Sequence, residues 1–358
     1  MSKEYKDQTQ EKYRNKIKEM FTYMPVFCKD YYFARHQKLS EKTQYDYLCK
    51  LKIFLEYLVG NCLFFNNKKM SEITVDDLVK LNQKDMIEFC SWLSEQKSHR
   101  NSKKASTNSK RTVDNYIACL SSYYSYFVRE GYISINPFTG MDRAKPKPKP
   151  ILYLKDDEKI DVFNTLLYGQ GLTAKQLEDF NNRTSIRDKC IITLLLSTGL
   201  RVSELVSLDV ADVDFKHSLI TVQRKGDKTD NVYLSDEMIE ILSDYIENWR
   251  EPYISNDIDV PLFISTKGKD ETRGKRLSVR SIELLVKKFC KAAGVTNADK
   301  MTPHKLRSTF AMNSLAATGN IALVKEQLAH SNLNTTQIYA KATDKDKENH
   351  RNDIKFFL

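Results

Sequence analysis

The chain carries one ordered series of reactive side chains. In sequence order these are Arg201 in TGLRVSEL, Lys225 in QRKGDK, His304 and Arg307 in TPHKLRSTF, His330 in QLAHSN and Tyr339 in TTQIYAK. Two arginines, a lysine and two histidines together make a site for a phosphate. A tyrosine beside them makes a nucleophile. Attack by its hydroxyl, unlike attack by water, yields a covalent ester that stores the phosphodiester bond energy. The transition state gathers negative charge on the phosphate oxygens, and prearranged cations act where that charge develops. With Arg, Lys and His supplying the charge, no metal or other cofactor is expected. The sequence has neither an acidic cluster with Mg²⁺ spacing nor a GxxxxGK[ST] loop.

Taken singly, each residue fits a blander role. His304 and Arg307 stand three apart on a predicted helix and so share a face, with Pro303 at the helix start. Arg201 and Glu204 share a face in the same way. A carboxylate there would lock the guanidinium so that its fork points at phosphate oxygens, although a surface ion pair has the same spacing. Lys225 falls at the tip of a predicted hairpin, a common place for a solvated lysine. His330 falls in a short turn before Asn334-Thr-Thr, which opens the helix carrying Tyr339.

The elements that must position these residues divide in two. Residues 1–140 read as helices. Ser40-Glu-Lys-Thr starts one, followed by Tyr45, Leu48, Leu51, Phe54, Leu55 and Leu58 at helical spacing. Thr74-Val-Asp-Asp starts another around Leu78 and Leu81. Ile87, Phe89, Trp92 and Leu93 lie in a third, Thr112 to Val128 forms a fourth, and Glu11 to Met20 adds one more. Residues 97–111, KSHRNSKKASTNSKR, read as a basic loop. Lys103, Lys104, Lys110 and Arg111 are its candidate contacts to a phosphate backbone. Lys145-Pro-Lys-Pro-Lys-Pro150 reads as an extended spacer that carries Lys145, Lys147 and Lys149. Beyond it the chain is mixed. Helices are expected over 191–196, 202–208, 236–249, 278–292, 304–317 and 321–328. Strands are expected at Leu219-Ile-Thr-Val and Asn231-Val-Tyr-Leu. The expected domains are a helical DNA-binding domain over 1–144, a linker over 145–150, a catalytic domain over 151–343 and a tail over 344–358.

Charge agrees with that division. The net charge is +10, and residues 1–150 hold 27 Lys and Arg against 17 Asp and Glu, while 151–358 hold 30 against 30. A basic first part joined to a neutral second part suits a polyanion held mainly by the first. Seven scattered cysteines without a CxxC pair argue against a disulfide framework or a zinc site, and for a reducing compartment. The polar start MSKEYKDQTQ lacks a signal-peptide core, and the apolar run Cys190 to Leu196 is too short to span a bilayer. A cytoplasmic protein without a membrane partner is expected.

The order TGLRxSEL, a KG hairpin, TPHxLRxTFA, an LxH turn and TxxY resembles that of the tyrosine recombinases, the phage integrase family. The resemblance spans both parts and is strongest over 190–345. With no arm-binding domain, the chain is most similar to the simple Xer-type enzymes, and its long first domain is similar to those that act as a single recombinase. Two positions depart from the pattern: Ser308 stands where many relatives have histidine, and Ala329 where glycine is common.

The resemblance implies a mainly α fold with a small β-sheet. A helical, SAM-like core-binding domain and a mixed α/β catalytic domain would form a C-shaped clamp on DNA. It implies that Tyr339 attacks the scissile phosphate to give a 3′-phosphotyrosyl link, while Arg201 and Arg307 hold the nonbridging oxygens. Lys225 would protonate the leaving 5′-oxygen. His304 would assist proton transfer from the tyrosine, His330 would bond a phosphate oxygen, and Glu204 would support Arg201. The implied partners are double-stranded DNA with an inverted-repeat core site and a homo-tetramer on two such sites, leaving open a partner recombinase or accessory protein. The tail, ending in Ile354-Lys-Phe-Phe-Leu, would join the subunits. Chromosome or plasmid dimer resolution is the expected role. The alternatives are an integrase or transposase of a mobile element, a type IB topoisomerase, and a DNA-binding protein without activity.

Overall fold

The computed structural model describes residues 3–96, 107–141, 150–224, 228–250, 261–266 and 274–328. Its contacts divide the chain into one unit spanning Lys6–Pro148 and another running from Lys149 onward.

The first unit is helical: α1 (Lys3–Met20), α2 (Phe27–Arg35), α3 (Glu41–Asn61), α4 (Val75–Val79), α5 (Gln83–Glu95) and α6 (Lys110–Arg129). Side-chain caps fix several of the starts. Thr43 N–H donates to Ser40 Oγ across 3.3 Å at the start of α3. At α4, Thr74 and Asp77 cap each other, with Asp77 N–H donating to Thr74 Oγ1 and Thr74 N–H donating to Asp77 Oδ2. Leu48, Leu51, Phe54, Leu55 and Leu58 of α3 are all buried, as their spacing predicts. Aromatic pairs fill the core: Tyr31 stacks on Tyr123 at 3.8 Å between ring centroids, and Phe54 meets Phe89 edge-on at 5.0 Å.

Two features of this unit differ from the sequence reading. Helix α2 was not anticipated, because it follows Pro25 and Val26 at its start supplies no side-chain cap. Lys110 and Arg111 belong to the first turn of α6, not to the preceding loop. Ser109 caps that helix, its Oγ accepting from Thr112 N–H across 3.2 Å, so the helix starts two residues earlier than its apolar pattern.

The second unit holds α7 (Asp156–Tyr168), α8 (Ala174–Asp179), α9 (Ser185–Thr198), α10 (Val202–Ser207), α11 (Asp236–Asp244), α12 (Val279–Ala292), α13 (Pro303–Thr318) and α14 (Ile321–Gln327). Three antiparallel strands, β1 (Val213–Asp214), β2 (Leu219–Gln223) and β3 (Thr229–Tyr233), lie in the order β1-β2-β3. Ile220 faces both Val213 and Val232 across the sheet. The strand β1 and the helices α7 and α8 were not anticipated. The expected helix 236–249 is α11 followed by a wider π-helical stretch, Tyr245–Arg250.

Helix α9 is the hub of this unit. Cys190, Ile191, Ile192, Leu194 and Leu195 are buried on every side of it, against α7, α11 and α13. The seven cysteines are unpaired. Among the described residues no helix is long and apolar enough to cross a membrane.

Candidate active site

The turn after α9 begins the site. Gly199 ends that helix in the left-handed conformation, with φ of 64°, which glycine adopts without steric cost. A Cβ at this position would run into the ring of Phe310 and stand 3.0 Å from Leu328 Cδ2. The tight turn brings the chain to Arg201, which sits at the N-cap of α10 rather than inside it.

Arg201 is gripped at once by Glu204. Its Nη1 lies 2.6 Å from Glu204 Oε1, and its backbone N–H donates to Glu204 Oε2 across 2.8 Å. The Arg201 side chain is 36% exposed and Glu204 only 5%, so a fixed carboxylate aims a guanidinium that solvent and ligand can reach. The expected pairing is present.

Arg307 comes from the second turn of α13 and is 2% exposed. Its Nη1 donates to the carbonyl of Gly199 across 2.6 Å, and its Nη2 donates to the carbonyl of Leu328, just past the end of α14. Removing this side chain would strand two buried carbonyls, at a cost of about 1–3 kcal/mol each. His304 stands one turn earlier, with Pro303 at the first helical position. It lies at the exposed rim while Arg307 lies in the depth, so the face they share is a slope. The imidazole pKa is lowered from 6.5. The first cause is loss of hydration where the protein flanks the ring, and the charges of Lys305, Arg307 and Arg201 add to it. The ring is therefore neutral at neutral pH and can accept a proton.

Arg201, Glu204, His304 and Arg307 thus meet at one place. A third arginine, which the sequence reading overlooked, joins them. Arg224 is buried, and its Nη1 lies 2.9 Å from Glu204 Oε2. Its signal was the period of β2: Ile220 and Val222 point inward, and two residues on the same alternation reaches Arg224. Lys225, His330 and Tyr339 lie outside the described residues. So do Lys103, Lys104, Lys145, Lys147, Lys149 and the tail. Lys110 and Arg111 are exposed on the first turn of α6.

Arg201 and Arg224 share Glu204, Arg224 also meets Asp230, and Arg307 adds a third guanidinium, which leaves a surplus of positive charge in a partly buried site and suits an anion held by several oxygens. A helical unit is thus followed by a mixed unit that carries this cluster at the end of a buried helix. Comparison with known proteins gives the class. Residues 171–346 match the model of the phage integrase family, and residues 61–145 match the phage integrase SAM-like domain. The first match spans every residue from Arg201 to Tyr339 in the series. The chain is 30% identical over 355 residues to tyrosine recombinase XerS of Streptococcus uberis, across 93% of this chain and 96% of that one. It is 30% identical over 358 residues to XerS of Streptococcus mutans, with the same coverage. The fold is similar to that of XerH recombinase bound to palindromic difH substrate in a post-cleavage complex. The TM-score there is 0.64 and the identity 23%, over 91% of this chain and 82% of that one. It is also similar to the Tn1549 transposon integrase in complex with a circular intermediate DNA, with a TM-score of 0.60 and 18% identity, over 91% and 99% of the two chains.

The chain belongs to the phage integrase family, the tyrosine recombinases. It is an enzyme, a tyrosine site-specific recombinase of Xer type.

Proposed function

We propose that the chain cuts and rejoins double-stranded DNA at a specific inverted-repeat core site, working as a homo-tetramer on two such sites. The observation that carries this reading is the convergence of Arg201, His304 and Arg307 on one spot, with Glu204 aiming the first. Tyr339 Oη attacks the scissile phosphorus and forms the 3′-phosphotyrosyl bond as the bond from phosphorus to the 5′-oxygen breaks. The tyrosine proton passes to the neutral His304. Lys225 supplies a proton to the departing 5′-oxygen, and Arg201, Arg307 and His330 hold the nonbridging oxygens. Religation is the same step reversed, with the 5′-hydroxyl of another strand as nucleophile, so no external energy source is needed.

The domain roles follow from charge. The basic first unit, with Lys110 and Arg111 on the first turn of α6, grips the backbone. Cations beside the positive end of a helix are unfavourable alone and become favourable when a phosphate sits between them. The Lys145–Pro150 run serves as linker, and residues 344–358 join neighbouring subunits. Similarity to XerS over nearly the full length supports dimer resolution on a chromosome or plasmid, in the cytoplasm, as the role.

A nicked suicide substrate tests the chemistry. The parent protein should form an adduct that survives denaturing electrophoresis. Tyr339→Phe should bind the same DNA and form none. An adduct from that variant would overturn the assignment of the nucleophile.

A further inference from the structure

Arg224 is a buried cation that the reaction above leaves without a role. Three elements meet on its guanidinium. Nη1 lies 2.9 Å from Glu204 Oε2 on α10, Nε lies 3.0 Å from Asp230 Oδ2 on β3, and Nη2 donates to the carbonyl of Gln327 at the end of α14 across 3.4 Å. Its backbone N–H donates to the carbonyl of Lys228 across 2.7 Å and closes the base of the β2–β3 turn.

The contact that matters for chemistry is the first. Glu204 is 5% exposed and divides its two oxygens: Oε1 faces Arg201 Nη1 at 2.6 Å, and Oε2 faces Arg224 Nη1. A carboxylate with one guanidinium neighbour tends to take it with both oxygens, in the fork-to-fork pairing. Arg224 Nη1 and the Arg201 backbone N–H both lie on Oε2, which works against that pairing. The Arg201 side chain therefore meets Glu204 through Oε1, and how Oε2 is held bears on where Oε1 points. The Asp230 contact cannot account for burying this arginine, because Asp230 is 43% exposed and a pair so solvated is weak.

We infer that Arg224 is a positioning residue for strand cleavage, acting through Glu204 to fix how Arg201 meets the scissile phosphate. The inference rests on the recombinase reading above. It differs from a structural staple in what it predicts for the phosphate. A misaimed Arg201 should matter where the phosphate oxygens carry charge. It should matter much less on a methylphosphonate, where a methyl group replaces one nonbridging oxygen and the phosphate is neutral.

The experiment is single-turnover cleavage by the full chain on two nicked substrates, one with a phosphodiester and one with a methylphosphonate at the scissile position. Arg224→Met should cleave the phosphodiester about 10- to 100-fold more slowly than the parent, the range usual for residues that orient a primary ligand. Site binding in a gel shift should stay close to that of the parent, with cleavage compared at a temperature where both proteins are folded. On the methylphosphonate its deficit should shrink to about threefold or less. In a Glu204→Gln background, adding Arg224→Met should cost no more than about threefold further, because the two act through one contact. Arg224→Lys keeps the charge but reaches fewer partners. It should show the same substrate-selective deficit at smaller size, and it serves if the methionine variant fails to fold. Equal deficits on both substrates, losses that multiply in the double variant, or parental cleavage by Arg224→Met would each overturn the inference alone. If the parent forms no adduct, both this inference and the recombinase reading fall.

Discussion

Arg307 and Gly199 are joined by a 2.6 Å hydrogen bond from guanidinium to backbone carbonyl, across 108 positions of sequence. The bond ties α13 to the turn that presents Arg201. Gly199 meets two demands there: a left-handed backbone, and a bare Cα against Phe310. Gly199→Ala should therefore destabilise the protein by about 2 kcal/mol or more, summing left-handed strain with displacement of the Phe310 ring. Urea unfolding followed by circular dichroism measures this, and cleavage should fall together with stability because Arg201 and Arg307 lose their common anchor. A variant as stable and as active as the parent would show that the turn tolerates a Cβ.

His304 gives the reaction a pH signature. Its folded-state pKa is lowered from 6.5, so between that value and the folded pKa the unfolded chain binds more protons than the folded one. At this site, stability is full above pH 6.5 and declines as pH falls toward the folded pKa. The ring is neutral above its folded pKa. The contribution of His304 to cleavage should thus fade on acidification at a lower pH than a free imidazole would. His304→Gln should remove that acidic limb and slow cleavage about 100-fold, the lower end for a general base. An unchanged acidic limb in the variant would assign it to another group.

Lys225 can be separated from a mere binding lysine by changing the leaving group. Lys225→Ala should cut ordinary DNA slowly, by about 100-fold or more if it is the general acid. On a substrate with a bridging 5′-sulfur, which leaves without a proton, the variant should cut at close to the parental rate. Equal defects on both substrates would mean that the lysine holds DNA instead.

Salt reports on the first unit. Each phosphate contact adds about 0.9 to the slope of log affinity against log salt. Replacing Lys103, Lys104, Lys110 and Arg111 with glutamine should flatten the slope by up to about 3.6 if all four meet phosphates. Fluorescence anisotropy over a salt series measures it. An unchanged slope would place the backbone contacts elsewhere on the chain.

The pairing of Arg201 with Glu204 was legible because the two are close in sequence. Arg201 and Glu204 are three apart, and the helix geometry that pairs them is local. Arg224 was hidden by its neighbours. In QRKGDK it reads as one of several charges in a turn, because the expected strand stopped at Val222 and its alternation was not carried on to Arg224. Helix α9 was read too short because its start, Ser185-Ile-Arg-Asp-Lys, is polar in composition even though Arg187 and Asp188 are buried. Helix α7 was missed for another reason. Val162 and Leu166 face the core, yet Ile160, Phe163, Leu167 and Tyr168 are exposed or nearly so, and an apolar pattern on two faces does not read as one stripe. Its acidic start, Asp156-Asp157-Glu158, was the available clue.

The carbonyls of Gln327 and Leu328 are held by Arg224 and Arg307, and this anchoring turns the supply of the nucleophile into a question of tether length. From Leu328 to Tyr339 the chain can extend at most about 36–40 Å. Eleven residues of sequence therefore bound how far from that anchor the Tyr339 hydroxyl can act. A deletion in this stretch should cost cleavage before it costs the cations their hold on the phosphate.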